Sequence, residues 1–261
     1  MSIPKVIHYV WVGGKPLPSF QQKCIASWRK HLPDYEIKEW NEQNFDINSN
    51  RYCKEAYEAK KYAFVSDYIR ISVLCQYGGI YMDTDVEVVQ PFSQQFLECE
   101  AFTGFETPET ISTGIMGCIP NQRMFQRIIE FYKDASFYNE DGSCNTTTNV
   151  HTITQIAKEH GFRPDNTKNT ILGLTLYPQT FFSPLAHDSD ESCISADTYT
   201  IHHFSGSWCD RKSRFMVFWN HRLKHKFECI LSKSGAAFIY RVGYNLARAL
   251  DYLTEQASKD K

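Results

Sequence analysis

Two carboxylates, Asp83 and Asp85, are separated by one residue in the stretch GGIYMDTDVEVVQP, which spans residues 78–91. In an extended segment, the side chains of residues i and i+2 project to the same side. The two charges would then lie about 6 Å apart, and their repulsion would cost about 3 kcal/mol at an effective dielectric constant of about 20. Solvent, a basic side chain, a shared proton or a metal ion must offset that repulsion.

Three chemistries use carboxylates at this spacing. Hard Mg²⁺ or Mn²⁺ binds one or two carboxylates together with the phosphates of a nucleotide. A phosphatase of the haloacid dehalogenase type uses the first Asp of a DxD as its nucleophile, but it also needs a later acidic cluster in a strand context, which we do not find after position 100. A calcium loop of the EF-hand type fails because DTDVE lacks the required glycine and later Glu. The residues favour a cation that carries a nucleotide diphosphate.

The sequence around the acidic pair separates it from a chance DxD. Asp188 and Asp190 form a second DxD within the polar run HDSDES, where no flanking apolar segment would hold the carboxylates in place. Asp83, in contrast, follows the apolar triplet at 80–82 and precedes another short apolar segment. Ligands of parallel α/β sheets bind outside the carboxyl ends of the strands, which is where this prediction places Asp83.

A second charged pair, Asp67 and Arg70, lies three residues apart on a helix predicted over residues 51–77. That spacing puts both side chains on one helix face. Their neighbours along the chain are mostly apolar, which indicates that the pair is partly buried. A carboxylate in this place can accept hydrogen bonds from ribose hydroxyls, and an arginine can bind phosphate or sugar oxygens.

The hydrophobic pattern predicts strands alternating with helices. Strands are predicted at residues 3–12, 36–40, 80–82, 86–89, 101–106, 171–177 and 199–204, and helices at 19–31, 51–77, 121–135, 150–160, 211–231 and 236–256. This alternation is typical of an α/β fold with a mostly parallel central sheet and helices on both faces.

Composition and charge narrow the class of protein. The chain has 261 residues, a net charge of −2 and nine cysteines without a CxxC pair. The absence of a secretory signal and of an apolar run long enough for a membrane span favours a cytoplasmic protein with reduced thiols. Residues 211–250 contain nine basic residues and one acidic residue, a net charge of +8, which indicates either a solvated face or a contact with an anionic membrane surface. No nucleic-acid partner is expected.

Three stretches together resemble a known family. They are IPKVIHYVWVGG near the N-terminus, AFVSDYIR followed by YGGIYMDTDVE, and TYTIHHFSGSW towards the C-terminus. The combination resembles the DXD-containing sugar transferases of glycosyltransferase family 32, which include bacterial capsule and lipopolysaccharide enzymes and the yeast initiating mannosyltransferase. It is more distantly similar to the large clostridial glucosylating toxins.

The resemblance implies a Rossmann-like GT-A catalytic domain over residues 1–210. The sequence of residues 211–261 predicts a basic, amphipathic helical extension packed on the same domain, whose last helix has an apolar stripe formed by Ile239, Val242, Leu246, Leu250 and Leu253. The resemblance also implies a retaining, metal-dependent transfer of a hexose from a nucleotide-sugar, most simply a UDP-sugar. The acceptor would be a saccharide or a lipid-linked oligosaccharide of capsule or O-antigen synthesis, at the cytoplasmic face of the inner membrane. A toxin-like effector that glycosylates a host protein, a non-catalytic carbohydrate-binding module and the phosphatase remain the alternatives.

The resemblance also assigns roles to residues that bind the donor. Trp11 would stack on the base, Asp67 would bind the ribose, and Arg70 would contact the sugar or phosphates. Tyr81 would lie beside the diphosphate, and Asp83 would touch the donor sugar and ribose. Asp83, Asp85 and Arg70 are the residues to which it gives catalytic roles.

Further roles concern the metal and the phosphates. Asp85 would bind Mn²⁺ or Mg²⁺ directly, together with Asp83 and with His203 of HHFSGSW. His202 is the neighbour that the sequence does not separate from His203. Ser207 and Trp208 would hydrogen-bond the phosphates. Residues 104–118 are where family members select the donor hexose.

Overall fold

The computed structural model describes residues 2–185, 193–206 and 239–246. The chain divides into two compact units. The first comprises Met1–Pro184 and Ile194–His202, and the second comprises Leu185–Cys193 and His203–Lys261. All of the numbered strands and helices introduced below lie in the first unit.

The strands and helices alternate along the chain as the hydrophobic pattern predicts. The strands are β1 (Val6–Val10), β2 (Glu36–Trp40), β3 (Gly79–Met82), β4 (Val86–Val88), β5 (Ala101–Thr107), β6 (Thr110–Ile111), β7 (Ile115–Cys118), β8 (Asn169–Ile171), β9 (Leu174–Tyr177) and β10 (Thr200–His202). The helices are α1 (Ser19–His31), α2 (Arg51–Glu58), α3 (Tyr62–Tyr77), α4 (Gln94–Leu97), α5 (Arg123–Asp134), α6 (Asn149–Lys158) and α7 (Gln179–Phe182), with a 3₁₀ turn at Ile47–Ser49.

The central sheet has the order β2-β1-β3-β7-β5-β9-β8, and β6 pairs with β5. The parallel pairs are β1–β2, β1–β3 and β5–β9, whereas β7 is antiparallel to both β3 and β5. Strands β2, β1, β3, β5 and β9 therefore all run in one direction, and β6, β7 and β8 run against them. The predicted α/β fold with a mostly parallel sheet is confirmed, in agreement with the GT-A expectation.

Helices cover both faces of this sheet. His8 of β1 lies opposite Tyr81 of β3, so the two side chains share a face. The guanidinium carbon of Arg70, on α3, lies 4.7 Å from the centre of the Tyr81 ring on that face. Tyr9 points to the other face, where its ring centre is 5.9 Å from that of Trp28 on α1. The predicted layers are confirmed for these two helices.

A cluster of buried aromatic rings anchors the start of β10. The centre of the Phe96 ring lies 4.9 Å from that of Tyr177, 5.3 Å from that of Phe182 and 4.7 Å from that of Tyr199. The Thr200 hydroxyl donates to the Phe182 carbonyl at 2.9 Å. Rings of this size contribute large buried apolar areas, so the cluster fixes where β10 begins.

The single helix predicted over residues 51–77 is wrong, because the chain forms two helices there. Lys60 has φ +57°, and its N–H donates to the Tyr57 carbonyl while the Lys61 N–H donates to that of Ala56. These two bonds form a Schellman motif, which ends a helix with one residue in the left-handed conformation. Glycine usually fills that position, so a lysine gave no signal in the sequence.

The single strand predicted over residues 171–177 is also wrong, because a hairpin joins β8 to β9. Leu172 and Gly173 have φ values of +48° and +83°, and Ile171 lies opposite Leu174. Two positive φ values in a two-residue loop are typical of a type I′ turn, for which Asn-Gly is the usual signal. An apolar Leu in the first position made the segment resemble a continuous strand. Strand β7 is a further element that the sequence did not predict.

Part of the predicted C-terminal helix lies within the described residues. Residues 239–246 are helical, while the remainder of the predicted 236–256 helix and the whole 211–231 helix lie outside the described residues. Val242 and Leu246, two members of the predicted apolar stripe, are 53% and 62% exposed. In the part of the chain that the structure describes, no helix is long and apolar enough to cross a membrane.

Two glycines join α3 to β3 and so deliver the acidic pair to the sheet edge. The Gly78 N–H donates to the Leu74 carbonyl at 2.9 Å, which ends α3. Gly79 has φ +94°, and a Cβ atom on it would lie 2.7 Å from the Val6 carbonyl oxygen and 2.8 Å from His8 Nε2. Only glycine therefore permits β3 to lie this close to β1.

We expect Gly79→Ala to lower the free energy of unfolding by about 2–6 kcal/mol, because a left-handed backbone strain of about 1–3 kcal/mol adds to overpacking of about 1–3 kcal/mol. Gly161→Ala is the matched control, since Gly161 has φ +90° and nothing lies within 4 Å of its added Cβ. Urea denaturation of both variants measures the difference. Equal losses of stability would contradict the close approach of β3 to β1.

Candidate functional site

Asp83 and Asp85 lie in a tight turn between β3 and β4. The Val86 N–H donates to the Asp83 carbonyl at 3.0 Å, and the Asp83 N–H donates to the Gly114 carbonyl at 2.8 Å. The expectation that this segment is extended is wrong, because β3 and β4 belong to different sheets and the chain must turn between them. The two carboxylates nevertheless converge, since the turn brings both against the same histidine.

That histidine is His202, which the pairing of β10 with β4 carries to the acidic pair. The two strands are antiparallel, and His202 lies opposite Val86, one residue after Asp85. His202 Nε2 is 3.3 Å from Asp85 Oδ1 and 4.0 Å from Asp83 Oδ2. Among the described residues, these three form a group whose possible ligand atoms all lie within 4.8 Å of one another.

Helix α1 fixes the outer edge of β4 and thereby the position of His202. The Trp28 indole N–H donates to the Val86 carbonyl at 2.6 Å, and the Val88 N–H donates to the Ser27 hydroxyl at 2.9 Å. An edge strand otherwise exposes unpaired backbone groups. With one edge bound by α1 and the other by β10, β4 has little freedom to shift in register.

Arg70 links the acidic pair to Asp67. Its Nη2 lies 3.1 Å from Asp67 Oδ1 and 3.3 Å from Asp83 Oδ1, and its Nη1 donates to the Thr113 carbonyl at 2.8 Å. The side chain is only 5% exposed. The sequence predicted that Asp67 and Arg70 share a half-buried helix face, and the structure places both in the interior, beside Asp83.

Tyr81, on strand β3, binds the Asp83 carboxylate. Its hydroxyl donates to Asp83 Oδ1 at 2.8 Å, while its ring packs against the Arg70 guanidinium. Burial and the neighbouring carboxylates raise the Tyr81 pKa well above its usual value, although Arg70 opposes the shift. The phenol therefore stays protonated and keeps donating to Asp83.

The pKa values of Asp67 and Arg70 show that several carboxylates share the positive charge of one guanidinium, that of Arg70. Burial raises the Asp67 pKa to about 6, with a smaller upward contribution from Asp83, although Arg70 and Asn149 oppose the shift. Burial alone would lower the Arg70 pKa, but Asp83, Tyr81 and Asp67 raise it above the usual value. Arg70 stays charged, and its single charge is insufficient for the carboxylates around it.

His202 responds to the same excess of negative charge. Burial would lower its pKa, but Asp85, which faces it directly, and then Asp83 and Glu106 raise the pKa to about 9. At neutral pH a proton on the imidazole therefore supplies positive charge next to Asp85. A metal ion bound in place of that proton would supply positive charge to Asp85 instead.

The donor set fits a hard divalent cation. Ligand atoms about 2.1 Å from one cation lie about 3.0 Å apart at adjacent octahedral positions and about 4.2 Å apart at opposite ones. The separations of 3.3 and 4.0 Å between His202 and the two carboxylates lie within that range. A divalent ion in place of the His202 proton would also bring the formal charge of Asp67, Asp83, Asp85, Arg70 and His202 to zero.

Trp11 lies at the same edge of the sheet as the acidic pair. It follows β1, which runs parallel to β3 as its direct neighbour. The residue is 9% exposed, its backbone N–H donates to the Trp40 carbonyl at 2.9 Å and its indole N–H donates to the Lys15 carbonyl at 2.5 Å. Its role in stacking on a base stays a prediction.

The predicted C-terminal residues fall partly outside this site. The structure places His202 within reach of the acidic pair, because His202 shares the strand pairing with Val86. His203 begins the second part of the other compact unit, and its role as a ligand stays a prediction. Ser207 and Trp208 lie outside the described residues.

Three residues at the site were not assigned a role from the sequence. Asn149, at the start of α6, donates from its backbone N–H to Asp67 Oδ2 at 3.3 Å and from Nδ2 to the Asp67 carbonyl at 3.1 Å. Thr113 and Gly114 contribute backbone carbonyls to Arg70 and Asp83. Backbone contacts leave no residue-type signal, so the sequence gave no indication of the contacts that Thr113 and Gly114 make.

Residues 18–103 match a family described as "Glycosyltransferase sugar-binding region containing DXD motif". The matched stretch contains Asp67, Arg70, Tyr81 and the acidic pair, which are the residues that the structure gathers at one sheet edge. The predicted resemblance to DXD-containing sugar transferases is confirmed. Residues 18–103, about a third of the chain, are therefore similar to the sugar-binding region of DXD glycosyltransferases.

Curated relatives agree with that conclusion. An uncharacterized glycosyltransferase of Acanthamoeba polyphaga mimivirus is 25% identical over 84% of this chain and 89% of its own length. "Subversion of eukaryotic traffic protein A" of Legionella pneumophila is 27% identical over 36% of this chain and 19% of its own length. A mannosyl phosphorylinositol ceramide synthase of Saccharomyces cerevisiae is 28% identical over 50% of this chain and 35% of its own length.

The alignments with the Legionella and yeast proteins thus span less than two thirds of those longer chains. Among solved structures, a glycosyltransferase involved in the glycosylation of the major capsid of PBCV-1 aligns over 80% of this chain and 97% of its own. Its TM-score is 0.47 at 11% sequence identity.

The raised pKa of His202 predicts a pH-dependent affinity for Mn²⁺. A proton occupies the imidazole below a pH of about 9, so Mn²⁺ must displace that proton to bind. We therefore expect the dissociation constant for Mn²⁺ to fall about tenfold for each unit by which the pH rises between 6 and 8. Calorimetry in buffers of different ionisation enthalpy should detect about one proton released per ion. In His202→Gln the pH slope should disappear; an unchanged slope in that variant would show that another group titrates.

Proposed function

We propose that this chain, which carries the DXD sugar-binding region, is a metal-dependent retaining glycosyltransferase that moves a hexose from a nucleotide-sugar to an acceptor hydroxyl. The supporting observation is the group of Asp83, Asp85 and His202 next to the buried Arg70 and Asp67. Such a group suits a cation with the diphosphate of an activated sugar. A carbohydrate-binding module without catalysis needs no group that binds a diphosphate.

Each side chain has a distinct task in this proposal. Asp83, Asp85 and His202 would hold Mn²⁺ or Mg²⁺, which as a Lewis acid supplies positive charge for the departing nucleoside diphosphate. Arg70 adds a fixed, always charged guanidinium beside Asp83 and orients that carboxylate together with the Tyr81 hydroxyl. Asp67 is held by Asn149 and Arg70 so that its carboxylate can accept from ribose hydroxyls. Electrostatic preorganisation of this kind usually provides the largest part of an enzyme's rate enhancement.

We propose a UDP-linked hexose as donor and a saccharide or lipid-linked oligosaccharide, as in capsule or lipopolysaccharide synthesis, as acceptor. Support for an acceptor at a membrane comes from the yeast relative, which is named for the synthesis of a mannosylated ceramide lipid. In this proposal Trp11, Ser207, Trp208 and His203 complete the donor site. A second candidate is an effector that glycosylates a host protein, which the Legionella relative favours by its name. The phosphatase alternative has no support among the relatives.

We further propose that the basic C-terminal extension, as a part distinct from the catalytic domain at 1–210, binds an anionic membrane on the cytoplasmic side. Residues 211–250 carry a net charge of +8, and Val242 and Leu246 expose apolar surface on the helical segment 239–246 next to Arg241. Apolar burial at the headgroup boundary and attraction to anionic lipids act together in such helices.

We expect a nucleotide-sugar donor to raise the melting temperature only when Mn²⁺ is present. At a ligand concentration of 100 times Kd the stabilisation is about 2.7 kcal/mol, or about 5–10 °C for a domain of this size. A thermal-shift screen over UDP- and GDP-linked hexoses measures it. Asp85→Asn should abolish the shift because it removes a ligand oxygen, whereas Asp197→Asn, at an exposed site, should retain it. A donor that stabilises both variants equally without metal would refute the proposal.

Vesicle binding tests the role of the extension. We expect Leu246→Asp to reduce co-sedimentation with phosphatidylserine vesicles several-fold, because a carboxylate would enter the headgroup boundary in place of an apolar side chain. Asn245→Asp adds the same charge to the neighbouring polar position and serves as the control. Donor hydrolysis should be unchanged in both. If the two variants bind vesicles alike, the apolar stripe has no part in docking.

A further inference from the structure

The turn at residues 112–114, between β6 and β7, contacts three residues of the site: the Arg70 and His202 side chains and the Asp83 backbone. The Thr113 carbonyl accepts from Arg70 Nη1 at 2.8 Å, and the Gly114 carbonyl accepts from the Asp83 N–H at 2.8 Å. The third contact is with His202, whose ring packs directly on Gly114. This turn belongs to the 104–118 segment to which the sequence gave no residue-level role.

The turn is itself fixed in place by the sheet. The Ser112 N–H donates to the Gly104 carbonyl at 2.8 Å, and the Thr103 hydroxyl donates to the Ser112 carbonyl at 2.9 Å. Ser112 and Thr113 are both buried. The backbone at Gly114 therefore cannot move away from the His202 ring without breaking the pairing around β5.

Gly114 leaves no room for a side chain beneath the His202 ring. A Cβ atom at position 114 would lie 2.6 Å from His202 Nδ1 and 2.9 Å from Cε1, both far inside normal contact distance. The φ of Gly114 lies outside the left-handed region, so φ does not require glycine there. A larger residue at position 114 is therefore excluded by steric conflict with the His202 ring.

We propose that Gly114 is a positioning residue for the metal-binding histidine. By lacking a side chain it lets the Nδ1 edge of the imidazole lie against the turn, so that the opposite edge presents Nε2 to Asp85 at 3.3 Å. Because its carbonyl also accepts from the Asp83 N–H, the same residue fixes one carboxylate ligand and the imidazole relative to each other. This inference depends on the proposed function, since it assumes that the group of Asp83, Asp85 and His202 binds a cation.

A double-mutant cycle on the full-length protein tests the inference with Mn²⁺ alone. The free-ion signal in electron paramagnetic resonance gives the Mn²⁺ affinity of the wild type, Gly114→Ala, His202→Ala and the double variant. Groups that orient a metal ligand typically change affinity by about 10–100-fold when altered, and we expect that loss in Gly114→Ala. In the His202→Ala background the same substitution should change affinity by less than about twofold, because the ring that it would displace is absent.

Thermal stability of the metal-free variants supplies a second readout. Gly114→Ala should lower the melting temperature by forcing the His202 ring out of its place, and adding His202→Ala should recover most of the loss because the smaller residue makes room for the new Cβ. This comparison stays decisive if Gly114→Ala folds poorly, since the double variant should then fold.

Several results would overturn the inference. It fails if Gly114→Ala binds Mn²⁺ like the wild type, or if the substitution weakens binding equally with and without His202. It also fails if the double variant is as unstable as Gly114→Ala. If His202→Ala binds Mn²⁺ more weakly than the wild type, these outcomes overturn the role of Gly114 and leave the proposed function intact. A wild-type protein that shows no saturable Mn²⁺ binding would overturn both.

Discussion

Repulsion among three buried or half-buried carboxylates at the end of β3 is the constraint on which the site depends. Asp67, Asp83 and Asp85 lie around one guanidinium and one imidazole. Burial in a low dielectric makes uncompensated charge expensive, and the upward pKa shifts of Asp67 and His202 both lessen the net negative charge of the group. A divalent cation removes the same imbalance without a proton. The electrostatics of this group thus suit a divalent cation.

Arg70 is central to this arrangement because it is always charged and has several donors in one plane. Besides the two carboxylates, it donates to the Thr113 carbonyl and to the Ser66 backbone and hydroxyl oxygens, while the Tyr81 ring covers one face. A buried guanidinium with these partners cannot rotate away. It therefore couples helix α3, the turn before β7 and the acidic turn in a single rigid group.

Two glycines near this group lie in close contact with another part of the chain. Gly79 allows β3 to approach β1, and Gly114 allows the His202 ring to approach the turn. Both glycines are selected by contact with another part of the chain. Gly79 also needs its positive φ, whereas Gly114 does not. Close approach of another part of the chain, more than flexibility, explains why glycine occurs at these two places.

Local signals predicted many of the elements well. Helix α1 and strand β2 have the bounds that the pattern of apolar residues predicts, and Asp67, Arg70 and the acidic pair were singled out by residue type and spacing. The failures at Lys60 and at Leu172 have a common cause. Both residues adopt positive φ without the glycine or asparagine that normally signals it, so tertiary packing overrode the local preference.

The sequence by itself determined the chemistry, since carboxylates at positions 83 and 85 after an apolar strand, with Asp67 and Arg70 on a helix, already indicated a cation and an activated phosphate ester. Only the tertiary structure decided that His202 lies against the acidic pair and that the carbonyls of Thr113 and Gly114 bind Arg70 and Asp83. His202 reaches Asp85 because β10 pairs antiparallel with β4, more than 100 residues earlier in the chain. Strand register is set by packing between distant segments, and no local pattern in HHFSGSW can reveal it.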